Sequence, residues 1–162
     1  MPSEILLERA QKTAEAIVEK LKPYCTKIEI AGSIRRQRPR CHDIDLVLIP
    51  SDPWNLHHEI LSLCRPFPAT ASGSKIMRIA VNNTQVDIYF ADETTWATLL
   101  LIRTGSAENN IRLCSIAKKR GWHLHADGSG LFNENGERIA GDTEASIYEA
   151  LGISYQEPTK RN

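Results

Sequence analysis

Three aspartates are the residues of this chain best placed to do chemistry. Asp43 and Asp45 lie in the run Asp-Ile-Asp-Leu-Val-Leu-Ile, and Asp87 lies in Gln-Val-Asp-Ile-Tyr-Phe. Both runs are nearly continuous in aliphatic and aromatic side chains, as buried strands are. Residues two apart on a strand share a face, so Asp43 and Asp45 point together while Ile44 and Leu46 point to the other side. Two unpaired carboxylates on an apolar strand repel, and one tends to protonate unless a cation joins them. Hard oxygen donors in ones and twos, with positions left for water and phosphate, are what magnesium takes in phosphoryl-transfer sites. Asp87 on a neighbouring strand would complete a site for two ions, one activating a hydroxyl and the other holding the leaving phosphates.

The residues upstream fit the same chemistry. Gly32-Ser33 precedes Asp43-Ile44-Asp45 by nine intervening residues. A glycine lets the backbone approach a phosphate, and Ser33 offers a hydroxyl and an amide where a helical turn begins. This spacing resembles the signature of the nucleotidyltransferase superfamily. With Ile34-Arg35-Arg36 included, it resembles the palm motif of the family X DNA polymerases, the polymerase-beta-like nucleotidyltransferases. The resemblance implies that Ser33 and Arg36 bind the triphosphate of an incoming nucleotide, a task suited to a planar guanidinium. Arg38 and Arg40 receive no role from it and read as surface charge.

Farther along, Thr104-Gly105-Ser106 followed by Asn110 resembles the thumb motif of the same family. That likeness implies a turn under the nucleotide sugar, a cis bond between Gly105 and Ser106, and Asn110 at the minor-groove edge of the base. Leu131-Phe132, Gly136, Ile147-Tyr148, Leu151-Gly152, Tyr155 and Glu157-Pro158 follow the family's C-terminal pattern. Lys75, in Gly73-Ser74-Lys75, and Arg112 are the expected DNA contacts. Two departures stand out. Ile102-Arg103 replaces the aromatic pair that packs on the sugar, and Cys114 replaces an arginine that faces the template, with Arg112 nearby as its substitute.

The elements that must position these groups are legible by period. Leu6, Ala10, Ala14, Ile17 and Leu21 recur at helical spacing, predicting a helix from an N-cap at Ser3 to Lys22. Strands are expected at 27–31, 43–49, 76–81 and 84–90, the last two joined by an Asn82-Asn83 turn. Helices are expected at 53–64, 94–102, 107–120 and from Asp142 or Thr143 to Gly152, with a glycine-punctuated ribbon over 122–139. The class is α+β: a nucleotidyltransferase palm, a mixed β-sheet with helices, over 1–92, then a small α+β thumb lobe over 93–162.

The chain has 162 residues and a formal net charge of zero, which argues against tight unaided binding to a long duplex. Cys25, Cys41, Cys64 and Cys114 form no CxxC pair, so reduced and mostly buried thiols are expected rather than a zinc or disulfide framework. His57-His58, His123 and His125 read as surface residues, and Trp54, Trp96 and Trp122 as core or lobe-interface residues. No apolar run spans a membrane and no signal peptide is present, giving the expectation of a soluble, cytoplasmic monomer, nucleoid-associated or viral. The short segment before Gly32 gives the expectation of a palm plus a thumb without the lyase and helix-hairpin-helix parts that the resemblance implies for larger family members.

The expectation is therefore a minimal family X DNA polymerase. It would add nucleoside monophosphates from dNTPs to a primer 3′-hydroxyl on primer-template or gapped DNA, distributively and in repair. Two Mg2+ ions would serve it, with Mn2+ able to substitute. The alternatives are a small nucleotidyltransferase acting on a protein, an RNA end or a small molecule, and a catalytically silent DNA-binding module.

Overall fold

The apolar runs of the first half of the chain become one five-stranded mixed sheet. The computed structural model describes residues 4–64, 71–72 and 75–162. The elements run β1 Ile5–Leu6, α1 Leu7–Leu21, β2 Cys25–Ile30, α2 Gly32–Arg35, β3 Arg40–Cys41, β4 Asp43–Pro50, α3 Pro53–Leu63, β5 Ala71–Ser72, β6 Ile76–Val81 and β7 Thr84–Phe90. They continue as α4 Trp96–Thr104, α5 Ala107–Lys119, β8 His123–His125, β9 Gly130–Phe132, β10 Arg138–Ala140 and α6 Glu144–Ala150. The fold is α+β.

The large sheet has the order β2-β4-β7-β6-β5. Its central pair, β4 and β7, is parallel, and the other pairs are antiparallel. A parallel pair needs a crossover, here supplied by α3 and the β5–β6 hairpin. Asn82 and Asn83 take φ of 51° and 63°, the left-handed pair that a two-residue hairpin turn requires.

The two faces of the sheet are covered differently, and this creates the site. Ile44, Leu46 and Leu48 point to one face and are fully buried with Ala10, Ala14 and Leu21 of α1. On the opposite face of β4, Val47 and Ile49 pack with Tyr89, Leu99 and Leu100 beneath α4. Asp43 and Asp45 belong to that second face but precede Val47, where α4 no longer covers the sheet and a cleft opens. A separate core of Leu101, Leu113, Leu124, Leu131, Tyr148 and Leu151 joins α4, α5 and α6 to the antiparallel sheet β10-β9-β8.

Several expectations shift. The first helix begins at Leu7 rather than after Ser3, which lies outside the described residues, because Ile5 and Leu6 pair with Cys41 and Arg40. Helix α4 begins at Trp96 rather than Thr94, because Oδ1 of Asp92 accepts the N–H groups of Thr94 and Thr95 and holds them in a turn. Trp54 is 74% exposed rather than buried, and Cys114 is exposed while Cys41 and Cys64 are buried. Gly73 and Ser74 lie outside the described residues.

Candidate active site

Parallel pairing of β4 with β7 sets Asp45 directly opposite Asp87 and Asp43 opposite Gln85. One carboxylate oxygen from each of Asp43, Asp45 and Asp87 lies within 4.8 Å of the others. Asp87 is buried and Asp43 and Asp45 are half-buried. Burial, and then the charge of Asp87, raise the Asp43 carboxyl above its ordinary range. Asp45 is pushed up to about 8, by burial first and then by Asp43 and Asp87. Three hard oxygen donors this close together, with Asp43 and Asp45 both raised, are a donor set suited to a divalent cation, and magnesium fits it.

Asp87 is steadied from its own sheet. Arg78 Nε donates to its Oδ1 at 2.7 Å, and Gln85 Nε2 donates to both oxygens at 3.3 Å. Arg78 was missed in the sequence, although the two-residue turn at Asn82-Asn83 fixes the register Arg78↔Asp87 and could have revealed it.

Around the cluster a cleft of about 430 Å³ is lined by Gly32, Ser33, Arg36, Asp43, Asp45 and, across from them, Gly105 and Asn110. Gly32 adopts φ +61°, and a Cβ built there would fall 2.2 Å from Asp45 Oδ2. Only glycine fits this approach. Arg36 donates from Nη1 to the carbonyl of Thr104 at 2.6 Å, so the basic turn after Gly32 grips the turn at the end of α4. Burial, and then the like charge of Arg38, lower the Arg36 guanidinium from its usual range.

The Thr104-Gly105-Ser106 turn is a junction. Gly105 takes φ +73°, and the Gly105-Ser106 peptide bond is cis. Ser106 Oγ accepts from Asn109 N at 3.2 Å, capping α5, and Ser106 N donates to Arg161 O at 3.0 Å. Arg35 Nη1 donates to Thr104 Oγ1 at 2.9 Å and to Glu144 Oε2 at 3.0 Å, while its Nη2 reaches Glu144 Oε1 at 2.7 Å. Arg161, fully buried, donates to Glu144 Oε2 at 2.6 Å. Burial alone would raise the Glu144 carboxyl, but Arg35 and Arg161 hold it below its usual range. No sequence pattern announces contacts this distant along the chain.

The remaining expected residues divide. Asn110 lines the cleft, with Nδ2 donating to Ile102 O at 2.9 Å and Oδ1 buried without a partner among the described residues. Thr104 is buried behind the lining. Arg103, at the departure from the family's aromatic pair, lays its guanidinium 4.3 Å from the Tyr89 ring centroid and also lines the cleft. Arg112 sits apart, exposed and hydrogen-bonded to Asn109 Oδ1 and Gln156 Oε1. Lys75 lines a different cavity, of about 540 Å³, with Phe90, Thr95 and Asp127. His123 and His125 pack ring to ring, 4.4 Å between centroids, away from the cleft.

A mixed sheet presenting clustered carboxylates to a cleft closed by a helical lobe defines a polymerase-beta-like fold. Residues 99–162 match the family model described as the DNA polymerase beta thumb. Across 99% of the chain the fold superposes on a crystal structure of Leishmania infantum polymerase beta in a ternary complex. The TM-score is 0.83, the identity 20%, and 77% of that chain is covered. In sequence the chain is 28% identical over 165 residues to the DNA polymerase/3′-5′ exonuclease PolX of Bacillus subtilis (strain 168), covering 99% of this chain. It spans 29% of the length of that relative. The fold is thus that of polymerase beta, and residues 99–162 are similar to its thumb. Among the described residues no helix is long and apolar enough to cross a membrane.

Proposed function

We propose that the chain is a minimal DNA polymerase that extends a primer 3′-hydroxyl with nucleoside monophosphates from dNTPs, with a palm over 1–92 and a thumb over 93–162. The reading rests on one observation: the three carboxylates converge within 4.8 Å, and Asp43 and Asp45 line a cleft shared with Gly32, Ser33, Arg36, Gly105 and Asn110. Asp43, Asp45 and Asp87 would hold two Mg2+ ions, or Mn2+ in their place, which supply activation of the hydroxyl and neutralisation of the phosphate charge.

The chain's own residues do the rest by positioning. Ser33 and Arg36 hold the triphosphate, and the Arg36 bond to Thr104 ties its seating to the turn under the sugar. Gly105 lies under the sugar with Ser106 buried behind it at the start of α5, and Asn110 meets the minor-groove edge of the base. Arg78 and Gln85 hold the Asp87 carboxylate beside Asp43 and Asp45. The α-phosphate is attacked by the primer oxygen and pyrophosphate leaves. Lys75 and Arg112 contact DNA phosphates outside the cleft. With zero net charge, the monomer releases DNA after each addition and suits short gaps, as in repair.

The test is a labelled primer, with and without template, given each triphosphate in turn. Template-directed extension by one or a few nucleotides, lost in Asp45→Asn and in Asp87→Ala with the fold intact by circular dichroism, is expected. Transfer of nucleotide to a protein, RNA end or small molecule, with no primer extension, would overturn the polymerase reading.

A further inference from the structure

The large sheet ends at β2, whose outer edge carries no strand among the described residues. Ala31 N donates to Asp45 O at 2.8 Å, and the register continues as Glu29↔Val47 and Lys27↔Ile49. In an antiparallel pair the main-chain groups face the neighbouring strand at every second residue. Those of Ala31, Glu29 and Lys27 thus turn toward β4, and those of Ile28 and Ile30 turn outward. A groove of about 590 Å³ runs along this edge, lined by Lys22, Thr26, Ile28 and Glu29, with Trp96 at its side.

Unpaired main-chain donors and acceptors on an edge invite another strand, and the side chains beside them decide which one. Lys27 and Glu29 lie two residues apart on one face of β2, and both are exposed. Lys27 is held only loosely, 3.5 Å from a Glu93 carboxylate that is itself exposed and 5.6 Å from the Trp96 ring centroid. Such a pair is worth little and is readily exchanged. Glu29 makes no ion pair among the described residues. An arriving strand must therefore answer a lysine and a glutamate with one residue between them.

We propose that the edge of β2 pairs antiparallel with β2 of a second copy of this chain, about a two-fold axis at Ile28. The outward main-chain groups of Ile28 then exchange hydrogen bonds with the partner's Ile28. Lys27 faces the partner's Glu29, and Glu29 faces the partner's Lys27. These flanking positions are the ones without main-chain bonds, where opposed side chains stand closest and opposite charges are favourable. Moving the axis one residue either way sets lysine against lysine or glutamate against glutamate, so the charges select a single register.

An interface that uses the same patch on both copies closes at two. Two exposed ion pairs and a few main-chain bonds are a small gain, so the single chain prevails in dilute solution and pairs on concentration. The groove shares no lining residue with the carboxylate cleft, and the inference does not draw on the polymerase reading.

Sedimentation equilibrium over a rising series of protein concentrations tests this. The wild-type chain is expected to pass from the mass of one chain to the mass of two, with no larger species. Lys27→Glu and Glu29→Lys each set like charges across the axis and are expected to weaken association at least about tenfold. A one-to-one mixture of these two variants associates again, because every lysine then meets a glutamate of the other variant. The double variant Lys27→Glu/Glu29→Lys, which reverses the pair within one chain, associates as the wild type does. Both positions are exposed, and matching thermal melts establish that the variants fold.

A wild-type chain that stays single at every concentration overturns the proposal. Association that survives both single variants also overturns it, because the contact then lies on another face. So does a mixture of the two variants that stays single.

Discussion

Asp45 Oδ2 occupies the space into which a side chain at Gly32 would grow. A Cβ there falls 2.2 Å from that oxygen, on a backbone already at φ +61°. Gly32→Ala therefore strains the turn and pushes one carboxylate out of the cluster. We expect a stability loss of about 1–3 kcal/mol and a fall in primer extension of at least about a hundredfold, since misplacing a reacting group by an ångström costs that much. A thermal melt beside a single-turnover assay measures both. An alanine variant with undiminished extension would show that Asp45 needs no such contact.

The raised Asp45 carboxyl would link the proposed metal binding to pH. Its ordinary value is 3.8 and its value in the fold is about 8, so the stability tied to its protonated form is present at low pH and lost as pH rises through about 8. The metal-free protein should melt at lower temperature at pH 9 than at pH 6, and magnesium should reverse most of that loss. Mg2+ or Mn2+ affinity should rise by up to about tenfold per pH unit between about 6 and 8, as one proton gives way to the ion. Calorimetry across this range, with Asp45→Asn as the variant that flattens the profile, is the measurement.

Glu144 stands between two guanidiniums, Arg35 and the fully buried Arg161. Glu144→Gln leaves Arg161 without its counter-charge. Removing one partner of a buried pair costs about 3–5 kcal/mol, and urea denaturation should show a loss of that size. Because Arg35 also holds Thr104, the variant should bind nucleotide more weakly even where it remains folded. A double variant with Arg161→Met should recover part of the stability, and its failure to do so would mean the pair is not coupled.

Two adjacent asparagines should behave oppositely. Asn109 is 3% exposed and donates to the Tyr148 hydroxyl at 3.2 Å, so Asn109→Ala removes a buried hydrogen bond. The expected cost is about 1–3 kcal/mol, or several degrees of melting temperature. Asn110 instead lines the cleft, and Asn110→Ala should raise the KM for dNTP about tenfold, with little change in melting temperature. Equal effects of the two substitutions on KM would remove Asn110 from its assigned place.

Much of the sheet was readable because its signals are local. The apolar run at Asp43 and the Asn82-Asn83 turn each specify their own strand, and period alone put Asp43 and Asp45 on one face. The crossover that sets Asp87 beside Asp45 is consistent with those strands but not dictated by them. What local reading could not supply was pairing at a distance. The pairing of Ile5 and Leu6 with β3 delays the start of α1, and Arg35 meets Glu144 across 109 residues of sequence. Arg38 and Arg40 read as surface charge and are exposed, and the folded chain adds only that they line the cleft mouth. Trp54 misled. Its helix buries Leu56 and Ile60, and the tryptophan falls on the other side.

Arg161 also sets an order of events during synthesis. Its carbonyl accepts from Ser106 N, and its guanidinium neutralises the Glu144 carboxylate that Arg35 shares. A ribosome that has released the chain only as far as Ala140 has already delivered the carboxylate cluster, the Gly32 turn and Asn110. It has not delivered the residue that locks Thr104-Gly105-Ser106 against them. Until Arg161 itself has left the exit tunnel, the nascent chain exposes a charged, half-built cleft whose lock on Thr104-Gly105-Ser106 is still missing.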